Sequence, residues 1–210
     1  GFGWAKNTQS ALGYSGREFL AFYREAMDYI VELNLGGTEI LERLAAIFLT
    51  KILTPDDPNY LDIRSPCGAG VGQIAYNHEG GIFTCDEGRM MYQMGDEAFR
   101  IGAVDSMTLR DVVTHDTVKS LALASCLDSI PGCSDCAYKP YCGTCPVYNY
   151  GQQGNIFPQN PTNDRCAIYM GIQDRLFEYL QSGDDKVIEV LKRWVVVKER
   201  PEYLHDGLRL

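Results

Sequence analysis

Cys133, Cys136, Cys142 and Cys145 fall within 13 residues, spaced C-x2-C-x5-C-x2-C. Two residues between a pair of cysteines let both sulfurs face one centre, and the turn between them turns backbone N–H groups toward thiolate or sulfide charge. Soft thiolates select zinc, copper(I) or iron–sulfur clusters, so residue type narrows the metal and spacing has to choose. Structural zinc sites commonly separate two such pairs by about 12 to 20 residues; here the gap is five. In the compact cysteine runs of bacterial ferredoxins one member reaches to a second cluster. The same logic here calls for ligands elsewhere, and the chain supplies Cys67 and Cys85 upstream, Cys126 just before the loop and Cys166 downstream. Eight cysteines suffice for two four-iron clusters. A zinc module presenting a protein-binding surface is the alternative. Disulfides of an extracellular domain are a third reading, disfavoured because disulfide-dense scaffolds are usually small and this chain has apolar helices enough for a core.

The elements that must position these cysteines are helices at both ends and short strands between. Ser15-Gly16-Arg17-Glu18 has the form of a capping box, and Phe19, Phe22, Ala26, Ile30 and Leu33 follow at three- and four-residue steps on one face up to Gly36-Gly37. Thr38 is the expected cap of a second helix reaching about Leu53, with Ile40, Leu41, Leu44, Ile47, Phe48 and Ile52 apolar, before Pro55 and Pro58. Gln73 to Asn77 and Ile82 to Cys85 read as a β-hairpin turning at His78-Glu79-Gly80-Gly81. A helix is expected over about Val118 to Leu127, then the cysteine loop through Pro146 and a Pro/Asn/Gly-rich stretch to Asn163. Two further helices are expected, about Arg165 to Gln181 and Asp184 to Val197.

A formal charge of -9 repels phosphate backbones and anionic lipid headgroups, which argues against nucleic acid as a partner. The most apolar stretch, Leu41 to Leu53, is interrupted by Glu42, Arg43 and Lys51, so no membrane span is expected. Asp86 and Glu87, directly after Cys85, are the candidate proton acceptors, with Arg89 as a substrate clamp or structural ion-pair partner. His78 reads as a solvent-facing turn residue, and His115 and His205 have no partner spacing. Tyr138, Tyr141, Tyr148 and Tyr150 read as shields of a metal site against water.

The whole pattern is Cys67-x12-Gly80-x4-Cys85, then C-x2-C-x5-C-x2-C, then Cys166. It resembles the SPASM domain, the twin auxiliary-cluster module of radical S-adenosylmethionine (radical SAM) enzymes that modify peptides and proteins. The words Ser65-Pro66-Cys67-Gly68-Ala69-Gly70, Cys85-Asp86-Glu87-Gly88-Arg89-Met90 and Tyr138-Lys139-Pro140-Tyr141-Cys142-Gly143-Thr144-Cys145-Pro146-Val147 are similar to the maturase of the His-Xaa-Ser peptide-modification system. The likeness runs from Cys67 to Cys166 and more weakly into the flanking helices.

By position the resemblance implies one 4Fe-4S cluster on Cys67, Cys85 and Cys145 and a second on Cys133, Cys136, Cys142 and Cys166. The final loop gap is two residues where the SPASM pattern usually has three. The first cluster lacks an obvious fourth cysteine, leaving an open iron position, which is preferred, a non-cysteine ligand, or Cys126. The implied fold is α+β, a loop-rich auxiliary-cluster domain with a short β-hairpin flanked by α-helices. Residues 1–60 would be a helical segment following a partial radical SAM barrel, 61–166 the iron–sulfur domain and 167–210 the C-terminal helices.

The implied role is to position a peptide or protein substrate and carry electrons. S-adenosylmethionine and a third 4Fe-4S cluster would belong only to the full-length enzyme, because the SAM-cleaving C-x3-C-x2-C is absent from these 210 residues. Alone, the chain is therefore expected to be inactive. The opening Gly1-Phe2-Gly3-Trp4 reads as the interior of a longer protein whose radical SAM domain precedes it, and the expected location is the cytoplasm.

Overall fold

A computed structural model describes residues 14–58, 61–158 and 164–195. The chain divides into two compact units, Gly1–Phe22 with Asn59–Ile172, and Tyr23–Pro58 with Gln173–Leu210.

Helix α1 (Gly16–Leu35) opens on the expected capping box: the Ser15 N–H donates to Glu18 Oε2 at 2.8 Å, and the Glu18 N–H donates to Ser15 Oγ at 3.3 Å. It stops at Gly36-Gly37, where Gly37 takes φ 91° and the Thr38 N–H returns to the Leu33 carbonyl at 2.9 Å. The buried row is Tyr23, Met27, Val31 and Asn34, one residue away from the expected face; Phe22 is 69% exposed. The neighbouring row wins because Tyr23 also finds a polar partner, its hydroxyl donating to Glu42 Oε2 at 2.8 Å.

Helix α2 (Arg43–Leu53) starts later than Thr38 predicts, because the Glu42 carboxylate accepts the N–H groups of Leu44 and Ala45, at 3.0 and 2.6 Å. Ile40 and Leu41 are left outside it and exposed.

The first unit is built on a three-stranded antiparallel sheet, β1 (Ala75–Tyr76), β2 (Gly81–Phe83) and β3 (Arg100–Ala103), in that order. β1 and β2 are the expected hairpin in shortened form, with Ala75 opposite Phe83 and Tyr76 opposite Ile82. Its turn is closed by Asn77 Oδ1, which accepts the Gly81 N–H at 2.7 Å, while Gly80 takes φ 80°. The sequence reading does not anticipate β3, nor α3 (Asp86–Gln93), which lies between β2 and β3 in sequence. Ile82, Ile101, Val112 and Val118 form a buried cluster beside the sheet.

Short α4 (Leu109–Val113) precedes α5 (Asp116–Ser125). The N-cap of α5 is His115, whose Nδ1 accepts the Thr117 N–H at 3.2 Å, a structural role for that histidine. The cysteine loop carries 3-10 turns at Leu127–Ser129 and Lys139–Tyr141 and leads directly into α6 (Pro146–Gln153), where the sequence reading expects a loop. α7 (Asp164–Gln181) matches its expectation, and α8 (Asp185–Arg193) starts at the Asp184 cap. The expected end of the last helix near Val197, His205, the first four residues and the tail of the Pro/Asn/Gly stretch lie outside the described residues. The architecture is α+β, as the sequence implies.

Candidate metal centres

Cys67, Cys85 and Cys145 share one buried cluster with Met91, Phe99 and Leu121. Each arrives by a different route. Cys67 follows the 3-10 turn Leu61–Ile63, and its N–H donates to Ser125 Oγ at 2.8 Å; that hydroxyl in turn donates to the Leu121 carbonyl at 2.7 Å within α5. Cys85 lies two residues beyond β2 as N-cap of α3, its sulfur accepting the Gly88 N–H at 3.4 Å. Cys145 is the N-cap of α6, its sulfur accepting the Tyr148 N–H at 3.4 Å. Helix N-termini carry partial positive charge, so two of these three sulfurs lie where a thiolate is favoured.

Burial works the other way. It pushes the Cys67 thiol up to about 11, and the Cys85 thiol up to about 12 with Glu87 adding to the effect. Cys145 is raised well above the ordinary thiol range, again by burial first, then by Asp62, with Arg165 opposing. Without a metal these groups are neutral thiols at pH 7, and an incoming metal must displace their protons.

Cys133, Cys136, Cys142 and Cys166 line a second cavity, of ≈ 40 Å³, together with Arg165 and Tyr169. One water needs about 10 to 15 Å³ on that measure, so the space exceeds a single ion. The first pair is formed by a tight turn, the Cys136 N–H donating to the Cys133 carbonyl at 3.1 Å, and a second turn leads into Cys142, whose N–H donates to the Lys139 carbonyl at 3.2 Å. Cys166 comes in from the first turn of α7. Burial pushes Cys142 up to about 12, opposed by a Gly143 backbone hydrogen bond and reinforced by Cys166, Cys133 and Cys136. Cys166 is raised by burial, then by Cys133 and Cys136.

Between Cys142 and Cys145 the loop passes against the Ile63–Arg64 backbone: a Cβ on Gly143 would come within 2.5 Å of the Arg64 nitrogen and 2.6 Å of the Ile63 carbonyl carbon. Only glycine fits there.

Cys126 takes the C-cap of α5, half-buried, and it is its neighbour Ser125 that meets Cys67. Asp86 is held by Arg89, whose Nη2 lies 2.7 Å from Asp86 Oδ1. Glu87, the other candidate proton acceptor, acts on the Cys85 and Cys67 sulfurs. His78 is exposed at the hairpin turn. Of the four tyrosines, Tyr148 is buried in the first cysteine cluster, Tyr138 lines the second cavity, and Tyr150 donates to Asp96 Oδ2 at 3.0 Å. All eight cysteines are free thiols, which gives the disulfide reading no support. Among the described residues, no three His, Cys, Asp or Glu side chains are set to share one metal ion. The sequence reading missed Ser125, Asp62 and Arg165; the adjacency of Arg165 to Cys166 was the available signal.

This order of elements is a known fold, carried by solved structures of anSMEcpe. Native anSMEcpe with bound AdoMet matches at TM-score 0.66 and 14% identity, and a hexahistidine-tagged form of it with bound AdoMet at 0.64 and 15%. Native anSMEcpe with bound AdoMet and Kp18Cys peptide matches at 0.65 and 14%. Each match covers 90% of this chain and 47% of the other, so the chain spans about half the length of the structures it matches. At this identity the likeness establishes the fold. No protein-family model and no curated protein matches the sequence.

Proposed function

We propose that this chain is the auxiliary-cluster region of a radical SAM enzyme that modifies a ribosomally made peptide or protein, with the His-Xaa-Ser type of maturase as the narrower reading. The observation that carries it is the sorting of seven cysteines, spread from Cys67 to Cys166, into two groups, one buried and one lining a half-buried cavity. Cys67, Cys85 and Cys145 would hold one 4Fe-4S cluster, and Cys133, Cys136, Cys142 and Cys166 the other.

The donors fit such groups. All are soft thiolates, four of them ring a cavity larger than an ion, and two receive N–H groups from helix N-termini. When bound, the clusters supply one-electron transfer and, at an iron without a protein ligand, a place for substrate to attach. The chain's own residues exclude water and fix the ligands: Met91, Phe99 and Tyr148 close over the first group, and Ser125 holds the Cys67 backbone.

S-adenosylmethionine and its cluster are assigned to a radical SAM domain of the intact enzyme, since C-x3-C-x2-C is missing from these residues. That AdoMet is bound in the matched anSMEcpe structures, and a peptide in two of them, supports a peptide substrate for the intact enzyme. Cytoplasmic location is proposed because thiolate-bound iron requires reduced cysteines; among the described residues no helix is long and apolar enough to cross a membrane.

The test is anaerobic reconstitution with iron and sulfide. About eight of each per chain, with visible charge-transfer absorption, is the expected result. Tightly bound zinc, or fewer than about seven iron atoms, overturns the reading.

A further inference from the structure

Arg165 precedes Cys166 on α7 and is only 9% exposed. Burying a guanidinium is costly unless its charge and donors are met. Here they are: Nη2 lies 2.5 Å from Asp62 Oδ2, Nε and Nη2 donate to the Tyr169 hydroxyl at 3.0 and 2.8 Å, and the group sits 4.9 Å from the centre of the Tyr148 ring. Its surroundings belong to both cysteine groups. It lines the cavity of Cys133, Cys136, Cys142 and Cys166, while Tyr148 is part of the buried cluster of Cys67, Cys85 and Cys145.

We infer that Arg165 is a positioning residue for electron transfer, a fixed buried cation between the two cysteine groups that holds the reduction potentials of both clusters up, with Asp62 as its counterweight. The inference rests on the cluster reading above. A reduced cluster carries one more negative charge than an oxidised one, so a nearby cation favours reduction and a nearby carboxylate disfavours it; at low dielectric neither is well screened.

The experiment is a redox titration of the anaerobically purified intact protein, followed by electron paramagnetic resonance, with iron and sulfide counted in every sample. Arg165→Gln is expected to shift the auxiliary midpoints negative, Asp62→Asn to shift them positive, and Arg165→Lys, which keeps the charge but not the fork of donors, to stay near the parent. A purely structural role does not produce shifts of opposite sign. Should Arg165→Gln fail to fold, Asp62→Asn and Arg165→Lys decide: a full iron count with an unmoved midpoint in Asp62→Asn, or a large negative shift in Arg165→Lys, overturns the inference alone. A parent protein without auxiliary iron and sulfide overturns the cluster reading and this inference with it.

Discussion

Cys85 and Cys145 stand in the same relation to their helices: each is the N-cap, and each sulfur accepts the N–H three residues on, Gly88 and Tyr148, at 3.4 Å. The helices they head, α3 and α6, pack on one another. A serine at either position keeps the capping acceptor and removes the soft thiolate. Cys85→Ser and Cys145→Ser are therefore expected to retain parental helicity by circular dichroism while the first cluster is lost or converted, lowering bound iron by up to about half. Unchanged iron in both variants would mean that these sulfurs serve the helices only.

Ser125 and Cys126 separate in the same way. Ser125→Ala leaves the buried Cys67 N–H without its acceptor, and an unsatisfied buried donor costs about 1–3 kcal/mol, read as a lower denaturant midpoint. Cys126→Ala removes a half-buried thiol from a helix end, and is expected to leave both stability and iron content near the parent. Loss of iron from Cys126→Ala would make it the fourth ligand of the first cluster.

Acid sensitivity of the second unit has a specific source. Hydrogen bonds from Arg24 and then Arg175 hold the Glu178 carboxyl down at about 2, with Arg24 Nη2 at 2.5 Å and Arg175 Nη1 at 2.7 Å. A carboxyl whose pKa falls on folding contributes stability that is full above its unfolded value of 4.5 and disappears as pH drops toward 2. Its side chain is 45% exposed, so solvent screens much of the effect. Glu178→Gln is expected to flatten the fall in melting temperature between about pH 5 and pH 2, most clearly at low salt. A parental slope in that variant would assign the acid loss to other carboxylates.

Features with their own chemical punctuation were legible in the sequence. Ser15 and Glu18 announced α1, Gly80 and Gly81 the hairpin, and the cysteine spacing marked out a stretch, Cys67 to Cys166, that lies within one compact unit. What was hidden had no periodic signal. α3 begins on a cysteine cap and carries Gly88 in its first turn, and α6 begins with Pro146, which is allowed at a first helical position but reads as the end of a loop. β3 spans only Arg100–Ala103 and contains Gly102, too short to alternate. The start of α2 was misplaced because Glu42 did the work expected of Thr38. Arg165 was missed because its burial is set by Asp62, a hundred residues away in the chain.

Gly143 tests whether the cysteine loop is held by the chain or by the metal. Its α-carbon lies where any Cβ would meet the Ile63 and Arg64 backbone, atoms that cannot swing aside as a flexible side chain can. Overpacking of this kind costs about 1–3 kcal/mol. In the metal-free protein Gly143→Ala is expected to lower the denaturant midpoint accordingly. In the reconstituted protein the same shift should displace Cys142 and Cys145, which serve different groups, so both clusters are expected to be lost faster to a chelator. Chelation at the parental rate for both would show that the loop follows the clusters and that the close approach to Ile63 does not fix it.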